Sequence, residues 1–194
     1  MSAAVAFVRG IIPSEDRERD DFYPTPAEGT RALLAVEKFD GAIWEPACGE
    51  GDISRVLESA GYDVVSTDLI DRGYGEARRD FLMEWRPLAP NIVTNPPFKH
   101  AEEFVRKALD LTTGKVAMLC RLAWLEGKQR RELFEGTPLA RVWVFAGRLS
   151  MHRGKLGETG QGGMLAFAWF VWEHGHQGPP SLGWVSPDRE GAAA

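Results

Sequence analysis

Short runs of strand-forming residues alternate with helix-length amphipathic segments along most of this chain, and that alternation restricts the fold more than any other feature. Strand signals lie at 42–45, 63–68, 91–94, 115–122, 141–145 and 165–172. Helix signals fall between them, at about 52–60 (closed by Gly61), 100–111 and 128–134. A first helix starts at Thr25-Pro-Ala-Glu28, where Thr caps, Pro enters the first turn and Glu completes a capping box, and it runs to about residue 39. Strands separated by helices pair in parallel, with the helices covering both sheet faces. The last two strands have no helix-length segment between them and are expected to pair antiparallel at one edge. The expectation is an α/β fold with a mostly parallel sheet.

At 194 residues the chain suits one buried domain. Residues 1–21 end in a charged run and read as an arm, 22–174 form the core domain, and 175–194 read as a Gly/Pro-rich, poorly ordered tail. No apolar run reaches the roughly 20 residues of a membrane span, and the N-terminus lacks a basic signal-peptide start. Two cysteines without CxxC spacing, Cys48 and Cys120, disfavour a disulfide framework or a zinc site, so a cytoplasmic setting and no metal are expected. The charge is uneven: residues 1–98 carry 10 Lys/Arg against 18 Asp/Glu, whereas 99–155 carry 12 against 6. Such asymmetry can place a phosphate-facing side on an acidic protein.

Two segments carry chemistry. Glu45-Pro-Ala-Cys-Gly-Glu-Gly51 joins a strand to a helix, and Gly49 and Gly51 allow a sharp turn close to a ligand at a strand's carboxyl end. Asp68 ends the next strand, where an acidic side chain can accept two ribose hydroxyls. The second segment, Asn95-Pro-Pro-Phe98, directly follows a strand. Its prolines stiffen the chain, so the Asn95 side-chain oxygen and the Pro96 carbonyl can form two fixed acceptors for one NH2 group. Phe98 offers a flat face for a ring.

With these motifs the chain resembles the class I S-adenosylmethionine-dependent methyltransferases, in particular the phage and prophage amino-methylating DNA methyltransferases. The resemblance covers about residues 22–172 and rests on Phe22-Tyr-Pro-Thr-Pro26, the Gly-rich segment from Glu45, Asp80-Phe81, and Asn95-Pro-Pro-Phe98 as catalytic motif. It implies a Rossmann-like, mostly parallel seven-stranded sheet with an antiparallel edge strand. It implies S-adenosylmethionine as cofactor, with Tyr23, Thr25, Glu45, Ala47, Gly49, Gly51 and Asn95 around its loop and methionine part. Asp68 would take the ribose, Asp80 the adenine amino group and Phe81 the adenine ring; Asn95, Pro96, Pro97 and Phe98 would hold the substrate amine. The implied activity is methylation of N6 of adenine in DNA. Alternatives are amino methylation of RNA, N4 methylation of cytosine, or a cofactor-binding subunit inactive without a partner. No recognition domain lies between the motifs, and the 22 residues after Trp172 are too few for one. Target recognition would fall to loops, a protein partner or a homo-oligomer. Residues 148–163, with five glycines and Arg148, His152, Arg153 and Lys155, form the expected nucleic-acid-contacting loop.

Overall fold

A computed structural model describes residues 22–149, 151 and 165–187. The elements are α1 (Ala27–Leu34), β1 (Ile43–Glu45), α2 (Asp52–Ser59), β2 (Val64–Ser66), β3 (Asn91–Thr94), α3 (Ala101–Leu111), β4 (Lys115–Arg121), α4 (Lys128–Glu135), β5 (Leu139–Phe145), β6 (Phe167–Glu173) and β7 (Ser181–Val185). They form one seven-stranded sheet in the order β2-β1-β3-β4-β6-β5-β7. The strands β2, β1, β3 and β4 run parallel, and β6 runs antiparallel to both β4 and β5.

Both faces of the sheet are covered, which explains why its central strands read as continuous apolar runs. Side chains alternate along each strand, so one run feeds two cores. On one face Trp44, Ile92, Val116, Met118, Phe170 and Trp172 pack with Val105 and Ala108 of α3. On the other Ile43, Val93, Ala117, Leu119, Trp169 and Val171 pack with Leu33 of α1 and Leu57 of α2. Buried indoles need an acceptor. Trp44, Trp169 and Trp172 each donate at 2.9 Å, to Thr67 Oγ1, the Gly29 carbonyl and Thr137 Oγ1.

Two expectations need correcting. The Thr25–Glu28 capping box does not form: α1 begins after Pro26 with no side-chain cap, because the Thr25 hydroxyl accepts from Asn95 Nδ2 at 3.1 Å instead. The helix also ends at Leu34, short of residue 39. The second correction concerns the tail, which is not irregular throughout. Ser181–Val185 pairs in parallel with β5 along its whole length. The backbone of β5 needs partners on its outer side, and Gly183 leaves room for the Trp143 indole where a Cβ would come within 2.2 Å. Among the described residues no helix is long and apolar enough to cross a membrane, and no group of three or more His, Cys, Asp or Glu could hold a metal ion.

Candidate active site

The strand order turns at β1, with β2 on one side and β3 on the other. In open α/β sheets ligands bind in the crevice beyond the carboxyl ends of strands at such a point. A cavity of about 280 Å³ lies there. Its lining brings together Tyr23, Thr25, Glu45, Ala47, Asp68, Asp80, Phe81, Asn95 and Pro97, which are distant in the chain.

The Gly-rich turn shapes one wall. Gly49 and Gly51 have φ of 56° and 85°, in the left-handed region that other residues avoid. They also lack space: a Cβ would fall 2.3 Å from the Phe22 ring at Gly49 and 2.6 Å from the Tyr74 ring at Gly51. The close approach these glycines permit is thus to two aromatic rings of the chain itself. Asp68 fixes the turn from the next strand. One carboxylate oxygen accepts from Gly49 N at 2.7 Å and the other from Ile70 N at 2.8 Å. A carboxylate has further lone pairs, so Asp68 is oriented by backbone and retains acceptors for hydroxyl groups.

Glu45 ends β1 fully buried, accepting from the Ser54 amide at 2.8 Å and from the Ser54 hydroxyl. Its side chain thereby reaches the first turn of α2. Burial pushes its carboxyl well above the usual glutamate range; the Ser54 bonds oppose this, and the charges of Asp68 and Glu58 add to it. Burial likewise pushes the neighbouring Cys48 thiol up to about 12, which makes it inert as a nucleophile.

Asn95 is held with its amide orientation defined. Nδ2 donates to the Tyr23 carbonyl at 2.9 Å and to Thr25 Oγ1 at 3.1 Å. Its Oδ1 is buried and accepts from nothing among the described residues. Pro97 O accepts from His100 N at 2.9 Å, closing the turn that leads into α3. Tyr23 does not face the cavity alone: its ring stacks beside Phe98, with centroids 5.5 Å apart.

Other expected roles are modified. Asp80 caps the short 3-10 turn Phe81–Met83 by accepting from Leu82 N at 3.0 Å, and it is exposed at the cavity rim. Phe81 is buried and packs against Trp44 and Phe104 at 5.1 and 4.8 Å, so it joins the core and presents little face to a ligand. Leu69 and Ile70, 56% and 37% exposed, also line the cavity. Their signal was present in the sequence as two aliphatic residues after Asp68 in a loop. Phe22, with the Arg72 guanidinium 4.3 Å from its ring, was also missed as a wall residue. Arg148 is exposed and does not line the cavity. His152, Arg153 and Lys155 lie outside the described residues.

No protein-family model matches the chain, and no curated protein sequence is similar to it at a significant level. Solved structures are similar in fold. A Listeria monocytogenes protein assigned as a class I S-adenosylmethionine-dependent methyltransferase superposes with a TM-score of 0.62 at 14% identity, over 93% of this chain and 70% of its own. A Pyrococcus horikoshii protein assigned as an RNA methyltransferase gives 0.57 at 14%, over 88% and 95%. A modification subunit assigned to a type I restriction enzyme of Vibrio vulnificus gives 0.53 at 14%, over 92% of this chain and 49% of that one. The chain has the Rossmann-like fold of the class I methyltransferases.

Proposed function

We propose that this protein is an S-adenosylmethionine-dependent methyltransferase acting on an exocyclic amino group, N6 of adenine in DNA. The observation that carries the proposal is the buried, unpartnered Asn95 Oδ1 beside the cavity. An orphaned buried acceptor is unfavourable unless a ligand or a water supplies the donor, and beside a cavity a ligand can do so. The cavity's donor set fits the cofactor. Asp68 can take ribose hydroxyls, Asp80 an amino group, Leu69 and Ile70 a ring face, and the buried Glu45 a cationic methionine end. Bound there, the cofactor supplies an activated methyl group.

The protein's own contribution is positioning and charge stabilisation. An aromatic amine is a weak nucleophile because its lone pair is delocalised into the ring. Asn95 Oδ1 and the Pro96 carbonyl, accepting from the two N–H bonds, would favour a pyramidal nitrogen and stabilise its developing positive charge. The Tyr23 carbonyl and Thr25 hydroxyl fix the Asn95 amide so that its oxygen faces the amine. In a duplex the base would have to leave the stack to reach this acceptor. Supporting nucleic acid as substrate are the +6 charge of residues 99–155 and the resemblance of Tyr23-Pro-Thr-Pro26 to DNA-modifying relatives.

The test is methyl transfer from labelled cofactor to DNA, RNA and protein, followed by nucleoside digestion of the product. N6-methyl-2′-deoxyadenosine from DNA is expected. Label in N4 of cytosine or in RNA would keep the chemistry and change the substrate; no transfer to any of the three would overturn the proposal.

A further inference from the structure

Phe98 is half-buried, with three groups around its ring. Tyr23 stacks beside it, Phe167 packs at 6.0 Å, and the Arg121 guanidinium carbon lies 4.7 Å from its ring centroid. Arg121 ends β4, and the pairing of Thr94 with Met118 carries it to the same end of the sheet as Asn95. Arg79 and Arg141 are each held by two glutamates. Arg121 forms no ion pair among the described residues, and its Nε is buried without a hydrogen-bond partner. A guanidinium stays charged at any working pH. The Phe98 ring compensates part of that charge and supplies no acceptor.

Two buried atoms without partners among the described residues, the acceptor Asn95 Oδ1 and the donor Arg121 Nε, therefore lie at one end of the sheet, joined through Tyr23, which binds Asn95 and stacks on Phe98, and through Phe98, which lies under Arg121. A ligand that satisfies both must bring an N–H donor and an anion, and the Phe98 ring beside Arg121 suits a flat partner. An amino-bearing nucleotide carries all three, whereas a protein side-chain amide carries only the first. We infer that Arg121 binds the phosphodiester next to the target nucleotide, and that in moving to it the guanidinium uncovers Phe98 for the target base. The present arrangement is the resting one, with Arg121 occupying the base's place. This inference rests on the reading of the substrate as nucleic acid.

The experiment measures binding of a labelled oligonucleotide across a salt series for the parent, Arg121→Ala and Arg121→Gln, with cofactor affinity and melting temperature recorded for each. The glutamine variant retains much of the side-chain volume and lacks the charge. Both variants should bind the oligonucleotide about tenfold more weakly at low salt. The slope of log affinity against log salt should fall by roughly 0.7–0.9, the contribution of one phosphate contact. Cofactor affinity should be unchanged. A side chain that only packs against Phe98 would alter melting temperature and leave that slope alone. If the parent methylates nucleic acid and Arg121→Gln keeps the parent's slope, the inference is overturned and the proposed function stands. If the parent neither binds nor methylates nucleic acid, both fall.

Discussion

Glu37 and Glu45 are buried almost equally, at 3% and 2% exposure, and their surroundings differ in kind. Glu37 accepts from Lys115 Nζ at 2.8 Å, from Trp143 Nε1 at 2.9 Å and from Arg141 through two nitrogens. Burial alone would raise its carboxyl, but the bonds from Arg141, Lys115 and Trp143 and the Arg141 charge outweigh it and hold Glu37 below the usual glutamate range. Glu45 has only the neutral donors of Ser54, with Asp68 near enough to oppose its charge. Where the chain closes its own electrostatics, as at Glu37, the group stabilises the fold. Where polarity is left over, as at Glu45, Asn95 Oδ1 and Arg121 Nε, the proposed function assigns it to a bound ligand.

Substitutions on the two sides should separate stability from function. The largest effect is expected for Asn95→Ala: turnover falls by about 100-fold or more, as for loss of a donor or acceptor that acts on transition-state charge. Single-turnover kinetics would read it. Cofactor affinity, measured by calorimetry, should fall far less, through loosening of the Tyr23–Thr25 segment that Asn95 holds. Normal turnover would remove Asn95 from the chemistry.

Glu37→Ala should do the reverse. Removing Glu37 from this buried ion cluster leaves Lys115 with only the Lys38 carbonyl and Arg141 with only Glu173, at a cost of about 3 kcal/mol. That is toward the low end for such a change, because their side chains remain 21% and 23% exposed. Urea unfolding should show the loss, with cofactor affinity retained in the folded protein. The lowered carboxyl of Glu37 stabilises the fold above the ordinary glutamate range, and that contribution should vanish as pH falls through its folded value.

Asp68→Ala comes next, weakening S-adenosylmethionine binding by on the order of 1–3 kcal/mol. Asp80→Ala should act in the same direction and less strongly, since Asp80 is exposed. If both bind the cofactor like the parent, the ribose and adenine assignments are wrong.

The smallest effect is expected at Glu45. In the ligand-free protein the raised Glu45 carboxyl holds a proton that the unfolded chain releases. Its contribution is fully present below the unfolded value and is lost as pH rises through the folded one. Glu45→Gln keeps an acceptor for Ser54 and removes the ionisation. The variant should match the parent in melting temperature in acid and exceed it increasingly toward alkaline pH. If Glu45 faces a cationic cofactor end, the same variant binds that cofactor more weakly. A melting gap that does not widen with pH would contradict the reading of Glu45 as an uncompensated carboxylate.

The order of helices and strands as far as β6, and the strand-to-helix turn at Gly49 and Gly51, were legible in the sequence. The sequence also placed Asn95-Pro-Pro-Phe98 at the end of a strand. These follow from local periodicity and from backbone restrictions that Gly and Pro impose wherever they stand. Only the tertiary structure decided which polar groups find partners. Thr25 resembles a helix cap until Asn95, 70 residues away, takes its hydroxyl. Phe81 resembles a ring platform until Trp44 and Phe104 enclose it. Ser181–Val185 lies in a stretch composed like a loop, and becomes a strand because β5 offers it an unpaired edge. Arg121 carried no motif at all; its significance lies in the acceptor it lacks. Hydrogen-bond satisfaction is a property of pairs brought together by the fold, so no local pattern can announce it.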